Sequence, residues 1–140
     1  MAPGDRSRPP LAERHDLEPH PEGGWFRQTW VSPVTVTLPD GRTRPTATLI
    51  YFLLPAGESS AWHRVASDEV WLAHTGRVVL EYGGTSLAPV GERTATVDAE
   101  AEAQARVPAG TWQRTLPGDA DSLVSCLVSP GFDFADFTLL

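Results

Sequence analysis

Residues 57–76 read GESSAWHRVASDEVWLAHTG and hold an imidazole, His63, followed by a carboxylate, Glu69. Side chains alternate between faces along a strand, so His63 and Val65 share one face of a first strand. Glu69, Trp71 and Ala73 share one face of the next. If both faces turn into a barrel, His63 and Glu69 meet inside it. A later segment, PAGTWQRT, brings Gln113 and Thr115 toward the same cavity. A histidine titrates near neutral pH, and a buried carboxylate beside it tunes that titration. Such a pair can move a proton next to a carbonyl, which serves epimerisation, isomerisation or elimination. The plainer alternative is that the two groups only satisfy each other, as buried polar groups usually do. A polar cluster inside an apolar barrel is costly unless used, which favours function.

Holding these groups in place requires strands, and the chain is written for them. Thirteen prolines and twelve glycines punctuate it at short intervals. Strand-forming runs lie between them: residues 25–31, 34–38, 46–54, 61–65, 69–74, 77–82, 111–115 and 123–128. Pro39-Asp40-Gly41 reads as a hairpin turn. Residues 95–107, which end in AEAEAQARV, contain helix formers but alternate strictly, and are expected to form a strand. Even spacing of short strands points to a sandwich or barrel. Residues 1–15 are polar and proline-rich and read as a disordered tail, leaving residues 16–140 as one domain.

Composition narrows the class further. The net charge is −7, and the basic residues are eleven scattered arginines, which argues against a nucleic-acid footprint. No apolar run approaches the roughly 20 residues that span a bilayer. The N-terminus has no apolar signal core, so a cytoplasmic location is expected. Cys126 stands alone in an apolar run and reads as a buried, inert thiol.

The segment 57–76 resembles the first cupin motif, which runs glycine, histidine, histidine, glutamate, glycine. Gly57, His63, Glu69 and Gly76 are in place, while Val65 stands where the second histidine belongs. Pro108 and Gly110 match part of the second motif, whose histidine falls on Gln113. A longer resemblance is to the cupin subfamily DUF985. It runs through residues 17–26, 51–54, 60–65, 67–71, 107–113 and 129–134. This resemblance implies an all-β double-stranded β-helix, or jelly-roll, barrel that is usually dimeric, so a homodimer is expected. It implies no single reaction, because one fold hosts many chemistries.

The expected function is therefore a small-molecule enzyme of the isomerase, epimerase or lyase class. Its substrate would be a polar, sugar- or polyketide-like metabolite, with a role in secondary metabolism open. His63 would be the acid or base, Glu69 its partner, and Gln113 the donor that orients a substrate oxygen. Tyr51, Trp71, Trp25, Arg27 and Ser60 complete the substrate-binding candidates. The alternatives are a non-catalytic ligand-binding module and a metal-dependent oxygenase. Cofactors are not expected. A weak divalent transition metal would have to use His63, Glu69 and Gln113, and a glutamine in place of a histidine makes a poor set. His74 and Arg64 have outward parity, Asp68 reads as a turn former, and Phe132, Phe134 and Phe137 are expected to seal a barrel end or an interface.

Overall fold

Residues 7–140 are described by the computed structural model. Among them the chain forms a short helix, α1 (Pro10–Arg14), and then strands β1 (Glu18–Pro19), β2 (Trp25–Val31), β3 (Thr35–Thr37), β4 (Thr43–Pro45), β5 (Thr48–Leu54), β6 (His63–Val65), β7 (Asp68–Thr75), β8 (Arg77–Tyr82), β9 (Arg93–Asp98), β10 (Gln104–Val107), β11 (Gln113–Leu116), β12 (Ser122–Ser129) and β13 (Phe137–Leu139). All pairings are antiparallel. One sheet has the order β1-β2-β5-β12-β7-β10, a second β13-β6-β11-β8-β9, and β3-β4 is a separate hairpin. No helix among the described residues is long and apolar enough to cross a membrane.

The two large sheets face each other. Phe52, Trp71, Val124 and Cys126 from the first pack with Val78, Leu80, Tyr82 and Val97 from the second in one buried cluster. At about 25 cal/mol per Å² of apolar surface, burial of this kind is the main force closing the barrel. The expected jelly-roll architecture is what forms.

β5 reads as a nearly unbroken apolar run because both of its faces are covered. Phe52 and Leu54 point into the barrel, while Leu53 packs on the outer side with Ala12, Leu17, Trp25 and Leu123. That outer cluster corrects the expected tail of residues 1–15. Residues 1–6 lie outside the described residues, but Pro10–Arg14 is helical and Ala12 is fully buried. Proline at the first helical position suits the start of a helix, since its missing N–H would have no partner there.

Residues 95–107 do not form one strand either. Asp98 accepts the Glu100 N–H on its side chain, and its own N–H donates to the Glu102 carbonyl. This turn breaks the alternating run, sending β9 into one sheet and β10 into the other.

Candidate active site

The path from β6 to β7 decides how His63 and Glu69 meet. The two strands are not neighbours in one sheet. Ala66 and Ser67 carry the chain from the second sheet to the first, so the two side chains face each other across the barrel. Beside His63, in register on β11, stands Gln113.

A third element enters from the turn between β1 and β2. Gly23 and Gly24 have φ of +108° and +76°, a region that only glycine occupies without strain. A Cβ on Gly24 would lie 2.7 Å from the Phe52 ring and 2.8 Å from the Leu53 carbonyl oxygen. The turn can therefore press flat against β5. The Glu22 carbonyl accepts the Ala61 N–H at 2.7 Å, which ties the turn to the chain just ahead of β6. Glu22 thereby reaches into the barrel.

His63 is 2% exposed. Its Nε2 lies 3.0 Å from Glu22 Oε2, and its Nδ1 lies 2.7 Å from the Ala61 carbonyl oxygen. Burial by itself would lower the imidazole pKa. The Glu22 carboxylate outweighs it, with help from Glu69 and the Ala61 carbonyl, and the pKa rises to about 9. His63 is thus an imidazolium at neutral pH: its Nδ1–H donates to the Ala61 carbonyl, and its Nε2 faces the Glu22 carboxylate as an ion pair.

Glu69 Oε1 accepts from Gln113 Nε2 at 2.8 Å, and Gln113 Oε1 accepts from Trp71 Nε1 at 3.0 Å. Burial pushes the Glu69 carboxyl up. The His63 charge opposes this, and the Glu22 charge adds to it. Burial likewise raises the Cys126 thiol well above its usual range, with the Glu69 and Glu22 charges reinforcing it. A thiol held protonated in this way is a poor nucleophile, in line with the expectation of an inert Cys126.

His20 completes the cluster. Its Nδ1 accepts the Glu22 N–H at 3.1 Å and also lies 3.3 Å from Glu22 Oε1. Burial lowers its pKa, so the ring is neutral, and the short approach to Oε1 is proximity rather than an ion pair.

These groups form the polar end of a cavity of about 360 Å³. Phe26, Ile50, Val65 and Val128 line its walls. Phe132, Phe134 and Phe137 contribute aromatic rings near the exposed Asp133, so the three tail phenylalanines do close one end of the barrel. Arg44 holds that tail in place, donating to both Asp136 carboxylate oxygens at 2.8 and 2.9 Å.

The sequence candidates divide accordingly. His63 and Glu69 line the cavity, but the close partner of His63 is Glu22. Gln113 and Trp71 stand behind Glu69 with their polar atoms committed to each other and to it, so Gln113 does not present its amide to a ligand. Tyr51, Arg27 and Trp25 are on the outer face. Tyr51 packs near His15 and His74, Arg27 donates to the His15 carbonyl, and Trp25 belongs to the outer cluster. Strand alternation explains all three, because Ile50 and Phe52 take the inward positions of β5, and Phe26 and Gln28 those of β2. Ser60 is bound to Thr115, whose N–H it accepts at 3.1 Å, and neither lines the cavity. His74 bonds Ser125 on the outer face, and Arg64 lies over the Trp112 ring, both as their parity required. Sequence reasoning missed Glu22 and His20. The available signal was a carboxylate and an imidazole flanking Pro21, just before a double-glycine turn.

The residues do not make a metal site. Among the described residues no group of three or more His, Cys, Asp or Glu is placed to hold an ion. Val65 occupies the inward position beside His63, both nitrogens of His63 are engaged, and the Gln113 amide is spent on Glu69 and Trp71. The expected set of His63, Glu69 and Gln113 therefore fits neither the facial triad of non-heme iron nor a three-ligand zinc site.

A family model described as "Cupin superfamily (DUF985)" matches residues 10–140. A hypothetical protein from Leishmania major is 34% identical, with a TM-score of 0.81 over 93% of this chain and 85% of that one. A structural-genomics protein from Shewanella oneidensis is 33% identical, with a TM-score of 0.76 over 93% and 82%. KdgF from a Halomonas species shares the fold at 16% identity, with a TM-score of 0.63 over 88% and 93%. The comparison with curated proteins gave no match.

Proposed function

This chain belongs to the DUF985 family of the cupin superfamily, and we propose that it is a cytoplasmic small-molecule enzyme that moves a proton next to a carbonyl, as an isomerase, epimerase or lyase does. One arrangement carries the reading. The His63 imidazolium pairs with Glu22 at 3.0 Å in a cavity that Glu69, its carboxyl pushed up by burial, also lines.

In this proposal the carboxyls, rather than His63, exchange the protons. The C–H bond beside the carbonyl breaks, and its proton goes to the Glu22 carboxylate. The Glu69 acid gives its proton to the carbonyl oxygen, which yields an enol. The negative charge passes from Glu22 to Glu69 while the imidazolium stays protonated, so the net charge of the cluster does not change. A buried site favours such a path, because no uncompensated charge forms in a low dielectric. Returning a proton to another carbon, to the other face, or with loss of a leaving group gives isomerisation, epimerisation or elimination.

The test uses β-tetralone, a bicyclic ketone small enough for the cavity. In heavy water the protein should accelerate exchange of its α-protons by about 10²–10⁴-fold, read by NMR. Glu22→Gln and Glu69→Gln should each remove most of that acceleration. Exchange at the buffer rate with wild-type protein would leave a binding module instead.

The expected homodimer also stands as a proposal. Leu49, Val70, Leu72 and Leu127 lie half-buried on the outer side of the first sheet, where a second copy would cover them. Sedimentation should give about twice the 15.2 kDa chain mass. A single-chain mass at micromolar concentration would contradict it.

A further inference from the structure

We infer that the cavity selects uncharged, flat, conjugated compounds bearing one hydroxyl or carbonyl group, and rejects carboxylates, phosphates and free sugars. The inference deepens the proton-transfer reading of the same site by naming the class of its ligand.

Charge is the first argument. Among the described residues no arginine lines the cavity, and the chain has no lysine. Its one cation, His63, is neutralised by Glu22 at 3.0 Å and gives its other N–H to the Ala61 carbonyl. A carboxylate or phosphate would meet Glu22, and Asp133 beside the phenylalanines, with no free positive group to receive it. A buried anion without a partner is strongly disfavoured.

Hydrogen bonding is the second. A sugar needs several donors and acceptors around its ring, and most of the polar groups here, His20, Glu22, His63 and Glu69, cluster at one end. Thr48, farther along the wall, already accepts the Phe132 N–H at 2.9 Å. The polar groups left to a ligand are those beside Glu69 and Glu22, the Gln28 amide and the Asp133 carboxylate, too few to match every hydroxyl of a sugar ring. Each unmatched hydroxyl would lose its water without a replacement.

The walls are the third argument. Phe132, Phe134 and Phe137 meet one another edge to face at 4.9 to 6.0 Å, and Phe26 meets the His20 ring the same way at 4.5 Å. The face of Phe137 lies along His63 at 5.6 Å. Rings set at these angles offer edges and faces to a further flat ring. A cavity of 360 Å³ accommodates two fused rings.

Calorimetric titration of the full chain with three probes tests this. β-Naphthol should bind at least about a hundredfold more tightly than naphthoate, which has the same rings and a charge. Glucose should not bind measurably. Phe134→Ala should weaken β-naphthol about tenfold while leaving the melting temperature unchanged, because Phe134 is half exposed. Naphthoate binding as well as β-naphthol, glucose binding more tightly than either, or no β-naphthol binding at all would each overturn the inference. Tight β-naphthol binding without exchange of β-tetralone would uphold the ligand class and defeat the proton-transfer reading, so the two can fail separately.

Discussion

Glu22→Gln is expected to bring the His63 pKa down from about 9 to below the ordinary imidazole value of 6.5. Burial is the largest influence on His63 and acts downward. The Glu22 carboxylate is the largest influence opposing it. A glutamine keeps the shape and a hydrogen bond but not the charge, so burial prevails and the ring becomes neutral at pH 7. Breaking a buried ion pair by removing one partner costs about 3–5 kcal/mol, and the lower end applies here because His63 can shed its proton. NMR titration of the His63 ring measures the first effect, and chemical denaturation the second. A ring that still titrates near 9 in the variant would mean that Glu69 carries the negative charge, which would reverse the roles proposed for the two carboxyls.

Raising the pH should unfold the barrel more easily, for the same reason. A group whose pKa is higher in the folded chain stabilises the fold fully below its unfolded value. That contribution disappears as the pH climbs through the folded value. For His63 the window runs from about 6.5 to about 9. The loss across it is about 3 kcal/mol, or roughly 10 °C in melting temperature. Glu69, also raised, acts in the same direction from lower pH upward. His20 acts oppositely: its pKa is lowered, so its contribution is lost as the pH falls below about 6.5. Melting temperatures should therefore fall in wild type between about pH 6.5 and about pH 9. His63→Gln should flatten the alkaline part of the fall. An unchanged slope in that variant would remove His63 as its source.

Much of the architecture was legible from local chemistry. Arg77–Tyr82 and Trp25–Val31 form strands with the bounds their composition and flanking turns imply. Pro39-Asp40-Gly41 turns the β3-β4 hairpin, as the dipeptide Asp-Gly suggests. Inward parity for His63, Glu69, Trp71 and Gln113, and outward parity for Arg64 and His74, followed from alternation within single strands. The departures lie at Tyr51, turned outward because Ile50 and Phe52 take the inward positions of β5, and at Asp98, whose side chain interrupts the alternation between β9 and β10.

What the sequence by itself determined is the set of inward-facing groups on each strand, because a period of two is a property of the strand alone. Which inward groups touch was decided by the tertiary structure. The pairing of His63 with Glu22 joins a strand to a turn about forty residues earlier, and that contact depends on Gly24 letting the turn lie against β5 and Gly23 letting it lie against the chain just ahead of β6. Local pattern carries no information about which turn closes over which end of a barrel. The same holds for electrostatics. His63 becomes an imidazolium, the Glu69 carboxyl is pushed up and Gln113 becomes a strut rather than a ligand contact only when burial and long-range neighbours are assembled together.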